Sequence, residues 1–383
     1  MLKTRAIQIF EEYIQSEKTR EHYMYNLIRF AIHNNLESVD LILSLDSEEL
    51  KQKVEDYVIL FKNKGKSPNY IRVIIFSIQS FCDSNDKMGI NWKKIRRLLG
   101  KKQRPRKSRP YTTSEIKRML NSVKSLGNKA LILFLSASGV RRGAIPELKI
   151  KHLKTMSNGC LAVTVYADSD EEYTTFINKE ASDALTLYLE ERKHNGENIE
   201  PDHPVFRAKY TDAKVKPKIF SEPSISNLIF RAKTNAGINF DNSPNLLCHA
   251  FRRRFNTILK LNKEANNPLI ERLMGHDMKL DNSYFQPTLE NLFEEYQKGM
   301  SDLTIDDSER LLVERVSIEA ERTQLEQERQ NNKELESRMA TYEKNQNEMI
   351  HVMNMIKNGD AILIGMNDDE IKIKLTPKCK VKN

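Results

Sequence analysis

Residues 131–148 read LILFLSASGVRRGAIPEL. The apolar run Leu131 to Leu135 reads as part of a buried helix, and Gly139 can end that helix as the left-handed residue past its last turn. An arginine follows almost at once. A rigid helix end can project Arg141 into a cleft, where a guanidinium offers a planar fork of donors.

The surrounding sequence builds a domain around this helix. Thr112 with Glu115 three residues later is a capping box, so a new domain begins at Tyr111. The stretches Leu161–Tyr166 and Tyr173–Ile177 are rich in β-branched and aromatic residues, and the turn-forming ADSDEE separates them, so they read as an antiparallel hairpin. Helices resume near Ala181 and run to about Gly299. The fold class is therefore mainly α with a small antiparallel β-hairpin or sheet, an α+β chain, and the domain spans 111–305.

Residues 1–100 read as an all-helical domain of four or five helices. Ser67-Pro68 supplies a cap and a first-turn proline, and Tyr70, Val73, Ile74, Ile78, Phe81 and Cys82 recur at helical spacing behind it. Lys18 to Asn34 is another amphipathic helix, with Tyr23, Leu27, Phe30 and Ala31 on one face. Between the two domains lies KKQRPRKSRP, residues 101–110, in which six of ten residues are Lys or Arg. It cannot bury a core and reads as a basic linker, either a solvated hinge or a segment lying along a phosphate backbone.

Beyond the second domain, residues 306–357 contain neither Gly nor Pro. Leu311, Ile318, Leu325, Leu335, Met339, Tyr342, Met349, Met353 and Ile356 fall on one seam, interrupted by Glu314, Glu321, Glu328, Asn332 and Gln346. This is a long helix, either a lone solvated one or a weak coiled coil. Residues 360–383 form a C-terminal hairpin or tail in which AILIGMNDDEIKIKL alternates around an Asn-Asp-Asp turn.

Composition narrows the function. The chain has 383 residues, of which 39% are hydrophobic and 30% charged, and this suits two or three packed domains. No apolar run approaches the length of a membrane span and the N-terminus has no signal-peptide core, so neither a membrane protein nor an exported one is expected. Cys82, Cys160, Cys248 and Cys379 are far apart, which fits a reducing cytoplasm rather than a disulfide framework or a zinc ribbon. A net charge of +9 suits a polyanionic partner. Gly65-Lys66-Ser67 imitates the end of a P-loop, but Leu60 stands where the first glycine is required. The eight histidines show no paired metal-ligand spacing. No cofactor, metal or small molecule is expected.

Three further pieces belong with Arg141. In His249-Ala-Phe-Arg252, on a helix that Ser243-Pro244 can open, His249 and Arg252 share one face. Phe251, Phe255 and Ile258 would face the core and turn the histidine and arginine toward solvent or substrate. In Leu273-Met-Gly-His276 a helix ends at Gly275, just before His276. Tyr284 lies in the polar stretch LDNSYFQPT, which can carry its phenol exposed.

The order Arg, His-x-x-Arg, Gly-His, Tyr over roughly residues 111–300 resembles the tyrosine recombinase (phage-type integrase) family. The wording GVRRGAIPEL and the Tyr-Phe-x-Pro-Thr at Tyr284 look most like its archaeal members. The resemblance implies site-specific breakage and rejoining of DNA through a 3′-phosphotyrosine, without metal or ATP. Arg141 and Arg252 would clamp the phosphate, His249 would move the phenol proton, His276 would hydrogen-bond the phosphate, and Tyr284 would be the nucleophile. It further implies that residues 1–100 are a core-type DNA-binding domain and that four protomers assemble on two synapsed duplexes. Two departures stand out. The family's hairpin lysine, the acid for the leaving 5′-oxygen, falls at Ala167. No Lys or Arg occurs between residues 155 and 178, where the turn instead carries Asp168, Asp170, Glu171 and Glu172. Lys214, Lys216 and Lys218 are the candidates to replace it. The family's glutamate after the first arginine is Ala144. The alternatives are a recombinase-like DNA-binding protein with weak or lost catalysis, and a type IB topoisomerase.

Overall fold

The computed structural model describes residues 4–100, 109–208, 218–239, 247–278, 284–358, 361–367 and 370–375. The chain divides into two compact units, residues 1–107 and 108–383.

The first unit is helical: α1 (Arg5–Tyr13), α2 (Glu17–His33), α3 (Leu41–Ser44), α4 (Ser47–Asn63), α5 (Pro68–Ser84) and α6 (Trp92–Arg97). Side-chain caps start the longer helices. Ser16 accepts from the Thr19 amide, Asp46 from those of Glu48 and Glu49, and Ser67 from that of Tyr70. Leu27, Phe30, Val54, Phe61, Ile74, Ile78 and Phe81 fill one core. In it Asn26 donates to Ser77 Oγ at 2.9 Å, so that polar pair is satisfied internally.

The second unit begins with α7 (Thr113–Ser122), whose capping box on Thr112 and Glu115 is present as the sequence dictates. Next comes α8 (Leu126–Ser138), in which every residue from Ala130 to Ser138 is buried. Two short 3₁₀ turns lead to a three-stranded antiparallel sheet, β1 (Leu153–Thr155), β2 (Leu161–Val165) and β3 (Tyr173–Ile177), in the order β1-β2-β3. The sequence pattern predicts only the β2–β3 hairpin. β1 is three residues long, too short to show alternation, and pairs through Leu153–Val163 and Thr155–Leu161. Then follow α9 (Lys179–His194), α10 (Glu222–Asn235), α11 (Leu247–Leu261), α12 (Asn267–Leu273), α13 (Leu289–Lys298) and α14 (Met300–Leu303).

Helix α8 is the central element, and α9, α11 and β3 pack against it. Arg254 of α11 ties this core together although it is buried. It donates to the Leu303 and Asp302 carbonyls at 3.2 and 2.6 Å, to Ser136 Oγ at 3.3 Å and to Thr113 Oγ1 at 3.1 Å. Burial draws its pKa down to about 10, which leaves it charged at neutral pH.

Helix α15 (Asp307–Lys357) is 51 residues long, about 77 Å at 1.5 Å per residue. Its first turn is anchored. Asp306 caps the amides of Ser308 and Glu309, Glu180 accepts from the amides of Ile305 and Asp306, and Lys117 pairs with Asp307 at 2.8 Å. Most of the remainder is solvated. It leads to an antiparallel pair, β4 (Ala361–Asn367) and β5 (Glu370–Leu375). Among the described residues no helix is long and apolar enough to cross a membrane.

Candidate active site

The site is assembled from the C-terminal ends of two helices. α8 stops at Gly139, which takes φ +61° and donates its amide to the Leu135 carbonyl. A Cβ there would lie 2.6 Å from the Phe255 ring, so both the backbone conformation and the space require glycine. α12 stops in the same way. Gly275 has φ +58°, and a Cβ on it would lie 2.3 Å from the Tyr173 ring. β3 and the end of α12 thereby come into direct contact.

Helix ends leave carbonyls without intrahelical partners, and those carbonyls carry the negative end of the helix dipole. Two arginines take them. Arg252 of α11 donates to the Gly139 carbonyl at 2.8 Å and, at a shorter distance, to the Met274 carbonyl. Arg141 donates to the Gly275 carbonyl at 2.9 Å. The two guanidiniums are thus pinned to consecutive carbonyls of the Met274-Gly275 turn. Thr175 donates to the Ser138 carbonyl at 3.0 Å and closes the end of α8.

This narrows the expectation that Arg252 meets solvent or substrate. Arg252 does not face solvent: it is 3% exposed. Residues 251, 252 and 255 crowd one side of α11, so Arg252 lies beside the Phe251 and Phe255 stripe. Two backbone acceptors make its burial tolerable. The burial lowers its pKa and the nearby Arg141 adds to the shift, while contact with Tyr173 works in the opposite sense.

His249, one turn earlier on α11, is exposed at its edge. Desolvation first, then the charges of Arg253, Arg252, Arg141 and His276, hold its pKa below the usual imidazole value. The ring is therefore neutral at pH 7 and able to accept a proton. His276 Nδ1 is hydrogen-bonded to Glu271, whose other oxygen accepts from Lys260. That bond fixes one face of the ring and leaves Nε2 for a ligand. Arg141, His249, Arg252 and His276 therefore converge, from three segments of sequence: the turn after α8, helix α11 and the turn after α12. Tyr284 is 88% exposed and, among the described residues, hydrogen-bonds to none of the four. Residues 279–283 and Ser243-Pro244 lie outside the described residues, as do Lys214, Lys216 and most of the basic linker.

Several contributors carry no local signal in the sequence. Arg142, adjacent to Arg141, is held by Glu222 through Nε and Nη2 at 3.2 and 3.0 Å and by Ser226 at 2.7 Å, which fixes the loop on α10. Glu271 precedes His276 by five residues, and only the turn at Gly275 brings the two together. Tyr173 closes the floor against Gly275. Arg109, the last arginine of the linker, forms a bidentate pair with Glu115 at 2.7 and 2.5 Å and is part of the α7 cap. In the β2–β3 turn Tyr166 and Asp168 have φ +54° and +64°, and the four acids are exposed. Burial pushes the Tyr166 phenol up to about 12.

Chemically, two fixed guanidiniums beside two imidazoles make a cradle for one tetrahedral oxyanion, with hydrogen-bond donors already aimed. Residues 111–284 match the family model described as the phage integrase family. Among solved structures, the Tn1549 transposon integrase in complex with transposon right end DNA is 17% identical. The match covers 77% of this chain and 99% of that one, with a TM-score of 0.51. The same integrase with circular intermediate DNA is 16% identical, over 76% and 99%, with a TM-score of 0.50. A lambda integrase dimer bound to a COC′ core site is 17% identical, over 74% and 96%, with a TM-score of 0.49. The first two share this chain's fold. No curated protein matches the sequence.

Proposed function

We propose that this protein is a site-specific recombinase that acts in the cytoplasm on double-stranded DNA, cleaving and rejoining it through a 3′-phosphotyrosine on Tyr284. The observation that carries the reading is the pinning of Arg141 and Arg252 to adjacent carbonyls of one turn, with His249 and His276 beside them. Two like charges held this close call for an anion between them, and a phosphodiester supplies it. The Tyr284 oxygen attacks phosphorus, its proton passes to neutral His249, and the bond from phosphorus to the 5′-oxygen breaks as that oxygen takes a proton from water. The arginines and His276 receive the charge that grows on the non-bridging oxygens. The ester keeps the bond energy, so religation by another 5′-hydroxyl needs no ATP. The helical unit 1–107 and the basic linker contribute backbone contacts, and four protomers hold two duplexes together.

The second reading is a DNA-binding protein of this fold with lost catalysis. It is favoured by the absence of a basic residue from the β2–β3 turn. A nicked suicide substrate separates the two. The recombinase reading expects a covalent adduct, abolished by Tyr284→Phe and reduced ~10²–10³-fold or more by Arg141→Ala. DNA binding without any adduct establishes the second reading. An adduct that survives in Tyr284→Phe refutes the choice of nucleophile.

A further inference from the structure

Helix α15 carries apolar side chains that its own unit does not cover. Leu311, Ile318, Leu325, Leu335, Met339 and Tyr342 are all at least half exposed. In heptad notation Leu311 opens a run of a positions every seven residues, and Glu314 opens the matching run of d positions. The two halves of the helix differ. In the first half the a positions are Leu311, Ile318 and Leu325, but the d positions are Glu314, Glu321 and Glu328. In the second half the d positions are all apolar: Leu335, Tyr342, Met349 and Ile356.

This asymmetry decides how two such helices can meet. In a parallel pair each d position faces its own copy, so three successive layers would set glutamate against glutamate. The flanking Arg310 and Arg315 would also face each other as g and e′. In an antiparallel pair a faces d′. Full overlap then places Leu311, Ile318 and Leu325 opposite the partner's Ile356, the partner's Met349 and the partner's Tyr342. Glu314 and Glu328 face the partner's Met353 and the partner's Met339, and no two carboxylates meet. The e positions become complementary, with Arg322 beside the partner's Glu343 and Arg329 beside the partner's Glu336.

We propose that α15 is a dimerisation helix that pairs antiparallel, in this register, with α15 of a second copy of this chain. The glutamates in the seam keep the pairing weak, so that it joins protomers already close together rather than holding them together when dilute. The inference concerns the free protein and does not depend on the catalytic reading.

The test uses the full chain without DNA, in a Cys379→Ser background that leaves the buried Cys82, Cys160 and Cys248. Leu325→Cys and Tyr342→Cys are oxidised separately and as an equimolar mixture. The expected result is a disulfide-linked dimer that forms at least tenfold faster in the mixture than in either variant alone. Equal cross-linking of Leu325→Cys by itself would show a parallel pair and overturn the proposal. So would a chain that sediments as a monomer at every concentration and cross-links in no sample. A charge swap gives an independent check. Arg322→Glu should weaken self-association roughly threefold to tenfold, and adding Glu343→Arg on the same chain should restore it. Failure of the double variant to recover would also refute the register.

Discussion

Helices α8 and α15 both carry runs of large apolar residues, yet they have opposite relations to the rest of the molecule. α8 has 13 residues and is buried without a break from Ala130 to Ser138. α15 has 51 residues, and beyond its anchored start its apolar side chains meet mostly water. The first is specified by what surrounds it. The second is specified by its caps, by its internal Arg–Glu pairs and, on the proposal above, by a copy of itself. Apolar content is thus no measure of burial; the spacing of the residues and the charges between them decide it.

The comparison can be broken most directly by truncating side chains. Phe134→Ala in α8 should cost about 3–5 kcal/mol, because it empties a fully buried site against Phe206. Leu325→Ala in α15 should change the stability of the dilute chain by less than about 0.5 kcal/mol. Urea titration of the two variants checks both values. Comparable losses would mean that α15 is buried in the protomer after all.

A smaller effect is expected where the two helix ends meet the site. Gly275→Ala forces a Cβ against the Tyr173 ring and a left-handed backbone on alanine, a combined cost of about 2–4 kcal/mol. Because the Gly275 carbonyl holds Arg141, adduct formation should fall more steeply than stability does. A variant that unfolds more readily but cleaves normally below its melting temperature would separate the turn from the chemistry.

The smallest effect concerns acid. The Arg109 guanidinium, together with the Thr112 amide and hydroxyl, holds the Glu115 carboxyl down to about 2. A depressed carboxylate stabilises the fold above its unfolded pKa of ~4.5 and loses that contribution as pH falls toward 2. The wild-type chain should therefore lose on the order of 2 kcal/mol more than Glu115→Gln between pH 5 and pH 2. Parallel acid titrations of the two proteins would refute the pairing.

Much of this was legible in the sequence because it is local. The capping box at Thr112, the glycine stop at Gly139 and the period of α15 each depend on residues within a turn or two. The four converging site residues were legible through the order of their motifs. What the sequence could not reveal is long-range. Whether Arg252 points outward or inward depends on carbonyls contributed by residues 139 and 274. The role of Glu271 depends on a turn, and β1 exists only because β2 offers it an edge. Arg109 looked like one of six linker charges, and only its partner Glu115 makes it part of a helix cap.

The arginine pins also set an order of events. Arg252 reaches a carbonyl 113 residues earlier in the chain, and Arg141 reaches one 134 residues later. Contacts that close loops of this length carry a high entropic cost and consolidate late in folding. During synthesis Arg141 emerges before either α11 or α12 exists. A nascent or partly unfolded chain can attract nucleic acid through its charge, but it holds no finished phosphate cradle. For a recombinase of the kind proposed, competence to cut is thereby tied to completion of the fold, so that an immature copy does not nick the DNA it touches.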